Sequence, residues 1–250
     1  MKRTLSGFMI IALFYSLFPV SASAQDDQAA RISKGKEILE QYIIASGGRE
    51  KLLKIRDTTI LSELNVISMG LSASRVIYIK DFEKIRIETK IMGTTTILSF
   101  DGKIGWIMNQ QTMTAVDIPQ PLVEELKIIA MGNGEMLDPD RFGITTTYEG
   151  KKAVEDKEYL ILKQAFKDGN TSTLYIDPDT HLIYKKVSLS LDESLQKVET
   201  ESVFSDYRVV EGMKVPFSLK IIQHGSEYVD YEITGYKYNT GLTDSFFEKP

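Results

Sequence analysis

The chain has 250 residues, 30 basic and 35 acidic side chains, a formal charge of −5, two histidines and no cysteine. Such a balance offers no basic patch to steer nucleic acid. The missing thiol removes disulfides, thiolate metal sites and cysteine nucleophiles.

Residues 1–24 read as an export signal. Lys2 and Arg3 supply the positive start, residues 8–20 the apolar core, and Ala22-Ser23-Ala24 the small residues that a signal peptidase reads, which places cleavage after Ala24. A retained anchor is the competing reading, but the apolar run is shorter than the ~18–20 residues that span a bilayer. With no cysteine after the core, the processed end has no thioether attachment point for lipid, so a soluble product is expected. A cysteine-free exported chain fits a bacterial periplasm. Removal of the signal leaves 28 basic against 35 acidic side chains, a charge of −7, on residues 25–250. That length suits one large all-β domain.

After a loose stretch at 25–30, a helical period begins at Ile32, with Ile38, Leu39, Tyr42 and Ile43 on one side. Gly47-Gly48 stops it, because glycine accepts the left-handed geometry of a helix end. A short second turn spans 50–55. Strand signals then run without a break: 58–66, 72–80, 83–91, 94–100, 104–108 and 112–116. The clearest is 83–91, Glu-Lys-Ile-Arg-Ile-Glu-Thr-Lys-Ile, in which charged and polar residues alternate with isoleucine. Its connections are too short for parallel crossovers, so the stretch is an antiparallel meander, and Asp101-Gly102 is a strong hairpin signal. Residues 122–131 read as a second helix, closed by Gly132 and Gly134, and Asp138-Pro139-Asp140 opens a long connection. Further strands follow at 144–148, 151–154, 159–165, 172–176, 182–191, 196–204, 207–210, 214–223 and 226–236. Pro216 marks an edge, a strand start or a bulge. About a dozen strands with two helical insertions give a mainly β fold, a curved antiparallel sheet that curls on itself.

Little in the sequence carries catalysis. His181 and His224 lack ligand-like spacing and sit beside turn signals, so no metal and no cofactor is expected. There is no Gly-x-Ser-x-Gly elbow, and Gly132-Asn133-Gly134 closes a helix where a phosphate site opens one. The acid pair Glu124-Glu125 belongs on an exposed helix face. Asp138 and Asp140 bracket a proline turn, on which a calcium edge or a hydrolase site remains the alternative.

The apolar parity remains. A filled core accounts for most of these residues singly, yet a sheet of a dozen strands encloses more volume than two short helices readily fill. The candidate lining is Ile60, Leu64, Val66, Ile77, Ile79, Ile85, Ile87, Ile97, Trp106 and Met108, with Arg75 on the parity of Ile77 and Ile79.

Several segments together resemble a known family. They are the opening helix ending Ala45-Ser46-Gly47-Gly48, the stretch Phe100-Asp101-Gly102-Lys103-Ile104-Gly105-Trp106, and the hairpin Tyr175-Ile176-Asp177-Pro178-Asp179-Thr180-His181-Leu182. Glu211-Gly212-Met213-Lys214-Val215-Pro216 and Asn239-Thr240-Gly241-Leu242-Thr243-Asp244-Ser245-Phe246-Phe247 complete the series. In this order they resemble the outer-membrane lipoprotein-sorting proteins, the LolA/LolB-like superfamily, over residues 34–250. The resemblance implies an unclosed (half) β-barrel with an N-terminal and a mid-chain helix covering its concave side. It further implies a monomeric, non-catalytic periplasmic carrier that holds the acyl chains of a lipoprotein or lipid and moves them toward the outer membrane. Membrane-bound delivery and acceptor proteins would be its partners. The alternative on the same fold is a sensor or scaffold whose groove binds a protein segment. The carrier's polar cavity contacts have no matching motif here.

Overall fold

The computed structural model describes residues 22–109 and 112–250. Residues 1–21 of the expected export signal lie outside the described residues. Helix α1 spans Ala22–Ala45 and α2 spans Arg49–Leu53. The expected loose stretch at 25–30 is therefore helical. Its glutamines and alanines are good helix formers with no breaker among them, so the helix extends beyond the part that buries an apolar stripe. Ile38, Leu39, Tyr42 and Ile43 are buried, as their spacing predicts. Gly47, at φ 126°, ends the helix, and a side chain there would meet the Gly212 carbonyl oxygen at 2.7 Å.

Six strands follow: β1 Asp57–Val66, β2 Leu71–Lys80, β3 Lys84–Ile91, β4 Thr94–Phe100, β5 Gly105–Asn109 and β6 Thr114–Asp117. Helix α3, Gln120–Met131, comes next, with prolines at its start and Gly132 at its end. A further turn, α4 at Gly134–Leu137, stands between the end of α3 and the expected long connection. Seven strands complete the chain: β7 Thr145–Val154, β8 Lys157–Ala165, β9 Thr171–Ile176, β10 Ile183–Leu191, β11 Lys197–Val210, β12 Met213–Gln223 and β13 Ser226–Tyr238. The two segments expected at 144–148 and 151–154 are one strand with a register shift between Tyr148 and Lys151. Those at 196–204 and 207–210 also merge, across Asp206 at φ 52°.

All pairings are antiparallel, in the order β6-β5-β4-β3-β2-β1-β13-β12-β11-β10-β9-β8-β7. The outermost strands, β6 and β7, do not pair with each other, so the sheet is open. It nevertheless curls, because α3 touches β3, β4 and β5 on one side and β10 on the other. Six strand steps at ~4.8 Å would put β3 and β10 about 29 Å apart in a flat sheet, beyond the reach of one helix ~10 Å wide. Pro216 sits in an interior strand, but β12 pairs with β13 only from Ser218 onward, so it lies at a local edge.

The helices pack on the concave face. Helix α1 joins α4 and the β8–β10 region in the largest apolar cluster, centred on Ile38, Ile43, Leu162, Leu174 and Ile176. At Gly35 it runs so close to β7 that a β-carbon there would stand 2.8 Å from the Thr146 carbonyl oxygen. Helix α3 buries Val123, Leu126 and Ala130 against Ile85 and Phe100. On the convex face the chain after β13 returns across β2–β5. Phe247 is fully buried there, and its carbonyl oxygen accepts from Trp106 Nε1 and Ser99 Oγ, each at 2.9 Å.

Candidate functional site: a lidded apolar cavity

Between the helices and the sheet lies a cavity of about 630 Å³. That is within the ~300–1,000 Å³ typical of small-molecule sites. One wall is aliphatic: Ile60 of β1, Ile77 and Ile79 of β2, and Ile87 of β3, faced by Ile128 and Ile129 of α3. Cross-strand register explains this wall, since Ile60 lies opposite Ile77 and Ile77 opposite Ile87. The far wall, from β10 and β11, carries the polar groups Lys186, Ser188, Ser190, Thr200 and Ser202 beside Ile183, Leu189, Leu191 and Phe204. Tyr42, Tyr207, Tyr236 and Tyr238 stand at the end nearer α1 and α2. A shallower depression of about 200 Å³ at the far ends of β11 and β12 is lined by Glu199, Glu201 and His224 among others.

The sequence-predicted lining separates into three groups. Ile60, Arg75, Ile77, Ile79 and Ile87 border the cavity. Leu64, Val66 and Ile85 are on the concave face but away from the space: Leu64 and Val66 close one end with Ala73 and Val229, and α3 covers Ile85. Ile97, Trp106 and Met108 belong to the opposite face and leave the set. Register decides it. Ile87, in the cavity wall, pairs with Leu98, and Leu98 pairs with Ile107, which puts Ile97, Trp106 and Met108 on the other parity. Trp106 is buried because the C-terminal segment covers the convex face there.

Sequence reasoning missed the polar wall. The serines of β10 alternate with Leu189 and Leu191, and both sets border the cavity, so a rule that turns leucines inward passes over the serines. It also missed the contacts that tie the helical cover to this wall. Lys186 Nζ of β10 pairs with Glu135 of α4 at 2.7 Å, with side-chain exposures of 18 % and 9 %. Glu125 of α3 lines the cavity instead of facing solvent as expected, while its neighbour Glu124 is exposed. Burial pushes the Glu125 carboxyl above its ordinary value, against the backbone hydrogen bond with Leu191 and the charges of Lys197 and Lys186. Asp138 and Asp140 stand outside the lining.

The tyrosines are neutral anchors. Tyr207 Oη donates to the Ile183 carbonyl and Tyr236 Oη to the Pro216 carbonyl, each at 2.6 Å. Burial pushes the Tyr42 phenol up to about 12, and the nearby Glu135 carboxylate adds to the shift. The cavity is thus walled by aliphatic carbon on one side and by mixed polar and apolar groups on the other. Such a space suits a molecule with both a hydrocarbon and a polar part.

An open antiparallel half-barrel with helices over an apolar concavity is the architecture of the LolA superfamily, and the chain has this fold. It is similar to a LolA superfamily protein from Nitrosomonas europaea, with a TM-score of 0.59 and 12 % identity, over 86 % of this chain and 97 % of that one. A DUF1329 family protein from Desulfovibrio piger gives a TM-score of 0.59 at 14 % identity, over 87 % of this chain and 97 % of the other. A domain from Vibrio parahaemolyticus described as outer membrane lipoprotein-sorting gives a TM-score of 0.57 at 12 % identity, with the same coverage of 87 % and 97 %. No protein-family model matches the sequence, and no curated protein is detectably similar to it. At these identities the likeness establishes the fold.

Proposed function

We propose that the chain is a periplasmic carrier that shelters the acyl chains of a lipid or lipoprotein in its half-barrel cavity and moves them toward the outer membrane without catalysis. The cavity of about 630 Å³, with its aliphatic wall under a helical cover, carries this reading. Burying one methylene is worth about 0.8 kcal/mol, so a deep apolar space binds tails that water rejects. The lipoprotein-sorting description of a structural neighbour agrees with such a cargo. Lys2, Arg3 and Ala22-Ser23-Ala24 support export, and no helix among the described residues is long and apolar enough to cross a membrane. The cavity's acids are engaged in fastening the cover, Glu135 to Lys186 and Glu125 to Leu191, which favours binding over acid–base chemistry. A cover held by polar contacts also offers a way to release cargo to membrane-bound delivery and acceptor partners.

The test is a series of fatty acids of increasing length, read by displacement of a fluorescent probe, alongside mass spectrometry of lipid extracted from the gently purified protein. Affinity is expected to rise about fourfold per methylene until the cavity is full. Absence of both retained lipid and chain-length dependence overturns the reading.

A further inference from the structure

Arg75 stands where the aliphatic wall ends. It projects from β2 onto the cavity side with Ile77 and Ile79, between Ser62 of β1 and Thr89 of β3. Its Nε donates to Thr89 Oγ1 at 3.0 Å, and its Nη1 donates to Tyr231 Oη at 2.5 Å. The guanidinium carbon lies 5.6 Å from the centre of the Tyr231 ring. Both hydrogen-bond partners are neutral hydroxyls, which orient the guanidinium without neutralising it.

No carboxylate comes within ion-pair distance of Arg75 among the described residues. Glu88 of β3 is taken by Arg86, and Glu193 accepts from Tyr228 Oη. A charge facing an apolar cavity without a counter-ion is costly, and folded chains seldom keep one without a use. Lys186 on the far wall shows the usual solution, since it has Glu135. The guanidinium has five N–H donors in a planar fork that matches carboxylate or phosphate oxygens, and only part of that fork is engaged.

We infer that Arg75, fixed by Thr89 and Tyr231, is an anion subsite, and that the cargo is an amphiphile with a carboxylate or phosphate head whose tail lies along Ile77 and Ile79. This deepens the carrier reading and rests on it. The subsite selects among lipids: a neutral molecule with the same tail leaves the guanidinium desolvated and unpaired.

Delipidated protein titrated with oleate, lysophosphatidic acid and oleyl alcohol, in competition with the neutral dye Nile red, tests the inference. Both anions are expected to bind at least about tenfold more tightly than the alcohol, the scale of a charge-assisted hydrogen bond. Whichever anion binds tighter tells a carboxylate source from a phosphate source. Arg75→Gln weakens the anions and removes their preference over the alcohol, whose own affinity does not fall. Arg75→Lys keeps part of the preference, because an amine retains the charge and loses the fork. An alcohol that binds as tightly as the anions overturns the subsite. Equal weakening of all three ligands by Arg75→Gln does so too, as does a preference that survives that change and disappears in Lys214→Gln at the other end of the lining. Should Arg75→Gln fail to fold, the ranking on unmodified protein and a reduced preference in Tyr231→Phe decide. If the alcohol binds without any anion preference, only the subsite falls. If none of the three binds, the carrier reading falls and the subsite with it.

Discussion

Trp106 shows how far one side chain's environment departs from its pattern. It shares a parity with Ile104 and Met108 as a lining residue would, yet it is 1 % exposed on the convex side with its indole N–H on the Phe247 carbonyl. Trp106→Ala is expected to cost about 3–5 kcal/mol of stability, the range for a buried aromatic, without weakening ligand binding by the protein that remains folded. Denaturant unfolding and probe displacement on the same sample check both halves. Asp57 makes a second point at this scale. Burial alone would raise its carboxyl, but hydrogen bonds from the Thr240 side chain and from the backbone N–H groups of Thr240, Gly241 and Leu242 hold it below the ordinary value. A carboxyl lowered in the folded state adds stability above its unfolded value, about pH 4, and that stability is lost as the pH falls through the folded value. The melting temperature of the native protein is therefore expected to fall on its acid limb. Asp57→Asn lowers the melting temperature at pH 7 and flattens that limb; an unchanged limb counts against the assignment.

Among the elements, the short turn α4 carries the most consequence for function. Its Glu135 is nearly enclosed, and the pair with Lys186 ties the cover to the polar wall. Breaking a buried pair from one side strands the other charge, at a cost of up to about 3–5 kcal/mol. Lys186→Met is expected to speed amide hydrogen exchange at residues 134–137, and adding Glu135→Gln recovers part of the protection by removing the stranded charge. Exchange that does not change in the single variant means the pair does not hold the cover. Element positions were largely legible from period and turn residues: the meander 58–116, the helix at 122–131 and the hairpin turns at Asp101-Gly102 and His224-Gly225 occur where alternation and turn chemistry put them. The extended start of α1 and the turn α4 were not, because neither has an apolar stripe of its own: the first is exposed and rests on helix-forming residues, and the second depends on what it packs beside.

For the molecule as a whole, the decisive quantity is empty volume, and it can be removed by substitution. Ile77→Trp places an indole into the cavity from the middle of the aliphatic wall. It is expected to weaken fatty-acid binding at least about tenfold while leaving the melting temperature level or raised, because it fills space without displacing a packed neighbour. Binding that persists would place the ligand elsewhere. Alternation along the strands is a local property, carried by backbone geometry, so the chain alone determined that two faces exist, that the sheet is antiparallel, and which residues share a parity within each strand. Which face of β5 or β10 turns inward is not local. It follows from the cross-strand register, from the curl that brings β10 round to meet α3, and from a C-terminal segment that covers convex apolar residues as effectively as the helices cover concave ones. Burial responds to cover, whatever supplies it, and only the tertiary structure assigns the covers to the faces.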